Sequence, residues 1–281
     1  MPSYDVHQHL WPEPLVEALR ARREAPRLDG DVLELAEGRF PVDLRAHDPE
    51  ERLRLLDRDR IDVAVLSLPP TLEWEAHPEL ADAYHAGARE LVAAAGGRFL
   101  AFACGASLPG FAGACVSAQA VVGGLDELPA ELARASGVLF VHPGPPAAPR
   151  AGAPPWWGAL VDYTAQMQAA YFAWLVSGAA GFGDLDVVFA ILGGGAPFQL
   201  ERLRSRGTGE PSELEAHVLF DTASYGRHAL GLCLECLGAE RLVYGSDVPV
   251  VDSRPTLAAL AGLGEDVLET ARSVNPTRLF G

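Results

Sequence analysis

The chain has 281 residues, 49% of them hydrophobic, which is enough for one large core or two small ones and too apolar for disorder. Its net charge is −16 and its pI about 4.8, a balance that repels phosphate backbones and excludes nucleic acid as an expected partner. All 22 basic residues are arginine, so a Schiff-base lysine, a carbamylated lysine bridging two metals and a P-loop are all excluded.

The opening MPSYDVHQHL has no basic segment followed by a long apolar run, so no signal peptide is expected, and no stretch is long and apolar enough to span a bilayer. Short apolar runs at residues 3–9, 62–68, 99–104, 114–121, 138–142, 187–192, 218–222 and 242–246 read as eight strands. Several are near-continuous, as in strands buried on both faces. Helical patterns lie between them. PEERLRLLDRDR starts at Pro49, and PELADAYHAGARELVAAAGG starts at a proline and stops at glycines. Strand and helix alternate, which predicts a parallel sheet.

Eight such units in ~250 residues match a (β/α)8 TIM barrel, here one domain over residues 1–281 with no additional β-sandwich. A doubly wound sheet fits the alternation equally. The polar residues favour the barrel. His7 and His9 end the first strand, His142 the fifth and Asp247 the eighth. A closed barrel makes its first and last strands neighbours, so these ends converge on one mouth, where barrel chemistry sits. Two segments read as long loops at that mouth: residues 11–44, and PGPPAAPRAGAPPWWG at 143–158. They are either functional covers or surface excursions.

His7 and His9 are two apart on a strand and so share a side. Two neutral imidazoles there can bind one divalent ion, and they suit zinc. H-x-H alone also fits two surface histidines beside a turn. His142 in VLFVHPGP is a third ligand or a capped core histidine. Asp247 in RLVYGSDVPV follows an apolar strand, where an unpaired carboxylate costs several kcal/mol. A metal would satisfy it, and so would an arginine. Cys233 and Cys236 form a C-x-x-C in the apolar helical run GLCLECLGAERL. With no second pair at zinc-finger spacing, they are expected to be buried structural thiols. Four free cysteines agree with a reducing cytoplasm.

The motifs DVHQHLWP, LFVHPGP, ILGGGAP, YGSDVP and NPTRLFG run in order over almost the whole chain. The pattern resembles the amidohydrolase-2 branch of the amidohydrolase superfamily. That branch holds decarboxylases of the aminocarboxymuconate semialdehyde and γ-resorcylate type as well as hydrolases. The resemblance implies a mononuclear divalent metal, zinc by preference, held by His7, His9, His142 and Asp247. It also implies a histidine at the sixth strand, six residues before the proline of the Gly-rich turn. Counted back from Pro197, that position is Ile191, which can neither transfer a proton nor activate water.

The expected activity is therefore hydrolysis of a small C–N or C–O compound, with Asp247 as acid–base group. His228, after the seventh strand, is a substitute acid–base candidate or a solvated helix-start residue. Arg227 and Arg150 are candidates to bind a substrate carboxylate, and Trp11 and Trp157 to wall an apolar one. The alternatives are non-oxidative decarboxylation of an aromatic or unsaturated acid, weakened by Ile191, and a metal-binding barrel without catalysis. The expected partner is a small-molecule substrate, with neither nucleic acid nor membrane, and homo-oligomers are allowed.

Overall fold

A computed structural model of the chain describes residues 1–123, 137–146, 152–154, 156–178, 185–206 and 217–281. The barrel strands are β1 (Tyr4–Gln8), β5 (Val63–Leu66), β6 (Phe99–Cys104), β7 (Gly113–Ser117), β8 (Val138–His142), β9 (Asp186–Phe189), β10 (Val218–Asp221) and β11 (Leu242–Val243). They pair in chain order, all parallel, as β1-β5-β6-β7-β8-β9-β10-β11.

The two ends of this sheet meet. Val6 N–H donates to Tyr244 O at 2.9 Å, Asp247 N–H to His7 O at 2.8 Å and His9 N–H to Val248 O at 2.7 Å. A parallel bridge joins Gln8 to Val248. The sheet is therefore a closed TIM barrel, not a doubly wound sheet, and closure is what puts Asp247 beside His7 and His9.

All residues of β1, β7, β8 and β10 are buried; β8 and β10 are apolar up to their last residue, whereas β1 buries Asp5, His7 and Gln8. Rings from alternate strands fill the interior, with Phe102 of β6 stacked on Phe140 of β8 at 5.2 Å. The helix Pro49–Asp59 starts where its sequence says it should. The Asp48 side chain accepts from the N–H groups of Glu50 and Glu51 at 2.8 and 3.0 Å, and Pro49 fills the first turn. In the closing NPTRLFG, Asn275 is buried and donates to Ala239 O and Leu242 O, tying the last helix to β11.

The structure corrects four expectations. The fourth barrel strand stops at Ser117, and the helix Ala118–Gly123 takes over the rest of the expected run. The sixth stops at Phe189, so Ile191 lies in a turn and not on a strand. Residues 11–44 are not a loop. They hold the helix Glu13–Ala21 and an antiparallel sheet of β2 (Arg27–Asp29), β3 (Val32–Leu35) and β4 (Gly38–Pro41). Cys233 is buried but Cys236, three residues on along the helix Arg227–Leu237, is exposed; all four cysteines are free. Among the described residues no helix is long and apolar enough to cross a membrane.

Candidate metal centre

The centre is built from strand ends. Between Asp5 and Gln8, β1 advances three residues while β5 advances two, from Ala64 to Leu66. The extra residue is a bulge, a device that re-aims side chains next to active sites. His7 and His9 meet with their Nε2 atoms 3.2 Å apart. His142 joins them from the end of β8, its ring centroid 5.0 Å from that of His7 and 5.3 Å from that of His9. One ring nitrogen from each of the three lies within 4.8 Å of the others, and all three residues are buried.

The opposite edge of each ring is occupied. His7 Nδ1 lies 2.7 Å from Asp221 Oδ2, His9 Nδ1 3.0 Å from Ser67 O, and His142 Nδ1 2.8 Å from Pro143 O. A carboxylate and two carbonyls only accept, so each Nδ1 carries a proton and each Nε2 faces the cluster, where it offers a lone pair whenever its ring is neutral. Asp247 Oδ1 stands 3.2 Å from His9 Nε2 and 3.5 Å from His7 Nε2. Its backbone is left-handed, with φ 64, held by the bond to His7 O.

Two facing Nε2 lone pairs 3.2 Å apart would repel, so a proton or a cation belongs between them. Burial pulls the His7 pKa down, but the carboxylates of Asp221 and Asp247 outweigh it and hold it at about 9. His142 goes the other way, well below the usual imidazole range, through burial and its two neighbouring rings. The cluster thus attracts positive charge and cannot share it evenly among protons. Three neutral imidazoles and a carboxylate are the donor set of a divalent transition ion, and the residues fit one.

Behind the histidines lies a buried polar network that the sequence did not reveal. Arg52, 2% exposed, donates to Gln8 Oε1, His9 O and Ala46 O. Gln8 Nε2 donates to Asp5 Oδ2 at 2.6 Å, and Asp5 Oδ1 accepts from Ser246 N–H and His7 N–H. Burial lifts the Asp5 carboxyl to about 6 against these donors and lowers Arg52 to about 10. The network fixes the backbone on both sides of the closure. His47 adds to it: its Nδ1 accepts from Trp11 N–H at 3.1 Å.

Asp221 was also missed, although an acid closing the apolar run VLFD is a legible signal, since a buried carboxylate needs donors. Besides His7 it holds Ile191 N–H at 2.8 Å and Ala223 N–H at 3.0 Å, both at Oδ1. Ile191 itself has φ 47, a conformation that a β-branched residue rarely adopts, and its half-buried side chain packs against the core.

The remaining candidates fare unequally. His228 and Arg227 are exposed on the first turn of their helix, and neither is hydrogen-bonded or ion-paired to the histidine cluster. Trp11 is buried and stacked on His47 at 4.3 Å. Trp157 is half-buried and donates to Asp162 Oδ1 at 3.3 Å. Arg150 lies outside the described residues.

No curated protein matches this chain. Solved structures do. Apo IDCase of Metarhizium anisopliae is 20% identical with TM-score 0.82, over 99% of this chain and 97% of that one. The 5-carboxyvanillate decarboxylase of Novosphingobium aromaticivorans, complexed with manganese and 4-hydroxy-3-methoxy-5-nitrobenzoic acid, is 16% identical with TM-score 0.71, over 100% and 96%. The 4-oxalomesaconate hydratase LigJ of Rhodopseudomonas palustris is 16% identical with TM-score 0.69, over 99% and 95%. At these identities the likeness is one of fold. Residues 4–281 match the amidohydrolase family model, and with nearly the whole chain covered the protein belongs to the amidohydrolase-2 branch of that family, whose enzymes bind a divalent metal.

Proposed function

We propose that the protein is a metal-dependent hydrolase of a small C–N or C–O bonded compound, with one divalent ion, zinc by preference, held by His7, His9, His142 and Asp247. The observation that carries the reading is the set of Nδ1 bonds to Asp221, Ser67 and Pro143, which leaves three Nε2 lone pairs beside one carboxylate. A divalent ion held by His7, His9, His142 and Asp247 would supply Lewis-acid polarisation of the scissile bond and a water whose pKa is lowered towards ~7. Asp247 takes the proton from the attacking water and passes it to the leaving nitrogen or oxygen, so the proton count closes within one residue. Asp221 keeps His7 in the tautomer that presents Nε2. The same reading takes residues 1–281 as one barrel domain acting on a small molecule.

A second reading, decarboxylation of an aromatic or unsaturated acid, is favoured by the fold shared with 5-carboxyvanillate decarboxylase. It requires a proton delivered to carbon after carbon dioxide leaves, and the aliphatic side chain of Ile191 holds none.

Elemental analysis of the purified protein should find close to one divalent ion per chain. The zinc-loaded protein should hydrolyse members of a panel of amides, lactones and esters, and Asp247→Asn should lower that turnover by ~10²–10⁴ while leaving the barrel folded. Carbon dioxide release from hydroxybenzoates in place of hydrolysis would replace this reading with the second. Bound metal with no turnover on any of them would mean a barrel without catalysis.

A further inference from the structure

A cavity of about 750 Å³ opens beside the barrel closure. Residues 43–46 and the helix Pro49–Asp59 form one side of it, and residues 248–253 form the other. None of His7, His9, His142 and Asp247 lines it. It meets the closure from behind. Val248, in its wall, accepts from His9 N–H, and Arg52, also in its wall, donates to His9 O. The volume is that of a small-molecule site.

The charges of the lining pair off, with one exception. Asp43 pairs with Arg45, Glu51 with Arg54 and Asp252 with Arg254, while Arg58 pairs with Asp59. Arg52 is 2% exposed and bonds only neutral groups, the Gln8 amide and the carbonyls of His9 and Ala46. Asp5 reaches it only across Gln8, and is the one carboxylate opposing the pull of burial on its pKa. These bonds use three of the five N–H groups of the guanidinium. The Nε–H and one Nη1–H have no partner among the described residues. A buried cation with open donors and no carboxylate in contact is costly, and an anion in the cavity it lines would relieve it. The wall beside it is apolar. Leu55 lies one turn along the same helix, and Val248, Pro249, Val250 and Val251 supply the other side.

We propose that this cavity is a second binding site, separate from the metal centre, for a small monocarboxylate with an apolar body. The carboxylate takes the open N–H groups of Arg52, and the body lies against Leu55 and the 248–251 wall. One unpaired positive charge sets the count at one carboxylate, because a polyanion would meet Asp43, Glu51 and Asp252 on the same lining. The site depends on neither the metal nor the hydrolase reading.

Calorimetry with cyclohexanecarboxylate, cyclohexanecarboxamide and inorganic phosphate tests it, on the protein as purified and after chelator treatment. The carboxylate should bind at least tenfold more tightly than the carboxamide, which has the ring without the charge, and than phosphate, which has charge without the ring. Its affinity should survive metal removal. Leu55→Glu sets a carboxylate one turn from Arg52, where it can take the open N–H groups. Cyclohexanecarboxylate affinity should then fall at least tenfold, with the barrel folded by circular dichroism. Val250→Glu adds the same charge at a wall position that is 69% exposed, clear of the core. It should weaken the carboxylate by a smaller factor that shrinks at high salt. The proposal is overturned by carboxamide binding as tight as carboxylate, by unchanged affinity in both variants, or by no carboxylate binding at all. Binding that disappears with the metal would also overturn it, by placing the carboxylate at the histidine cluster.

Discussion

The ends of β1 and β9 face one barrel mouth and are built in opposite ways. At the end of β1 every polar group has a partner: His7 has Asp221, His9 has Ser67, and the backbone between them is held by Asp5, Gln8 and Arg52. At the end of β9 the backbone is held, through Ile191 N–H and Asp221, but the side chain is aliphatic and sits at φ 47. Asp221 serves both ends with its two oxygens. The difference shows that a turn can keep the geometry of a chemical position while its residue has no chemistry to offer, because the turn is fixed by backbone bonds and the chemistry by the side chain.

The sharpest way to break the β1 end is from behind. Arg52→Met removes the donor to three acceptors, the buried Gln8 Oε1 and His9 O and the part-buried Ala46 O. The cost is about 3 kcal/mol, since acceptors buried without partners carry their full desolvation penalty. Urea unfolding should show it at pH 7, and Arg52→Lys should recover part of it.

Asp221→Asn tests the residue common to both ends. It removes a charge-assisted bond that fixes the His7 tautomer, so zinc affinity should fall ~10–100-fold, the usual effect of losing a ligand's outer partner. Competition with a chelator measures it. Unchanged affinity would mean that His7 is oriented by packing alone.

His47 gives the β1 end a pH signature. Burial first, then Arg52 and His9, lowers its pKa to about 3 from an ordinary 6.5. The unfolded chain therefore binds this proton more readily than the folded one. Its contribution is fully present above pH 6.5 and is lost as the pH falls towards 3. Stability at pH 5 should be about 2 kcal/mol below that at pH 7 from this residue. His47→Gln should remove that part of the slope in paired urea titrations.

The smallest effect concerns the β9 end. Ile191→His puts a polar ring against the core, which costs stability, but histidine tolerates a left-handed backbone better than a β-branched residue does. The two terms oppose, and the net change should stay under about 1 kcal/mol. The variant gains a titratable group at the mouth, and carbon dioxide release from hydroxybenzoates should rise above the wild-type level. Equal release by both proteins would show that the β9 end plays no part in proton transfer.

Much of this molecule was legible in its sequence. The eight apolar runs and their alternation with helices predicted a parallel sheet, and His7, His9, His142 and Asp247 at the ends of its first, fifth and eighth strands favoured closure into a barrel, because only closure makes the first and last strands neighbours. The absence of lysine narrowed the metal chemistry before any coordinates. The tertiary structure alone decided what stands behind and across from those residues. Asp221, Arg52 and Asp5 act over long separations, and no local pattern ties Asp5 to Ser246 or Arg52 to His9. His228 and Arg227, adjacent in sequence to a strand end, turned out exposed, since a helix start can face solvent as easily as the mouth. Trp11 was drawn into a stack with His47, and residues 11–44 formed a sheet whose turn meets Tyr163 126 residues away. Periodicity records which face of an element is apolar. Which distant group satisfies a buried charge depends on chain closure in space, which one strand's sequence cannot encode.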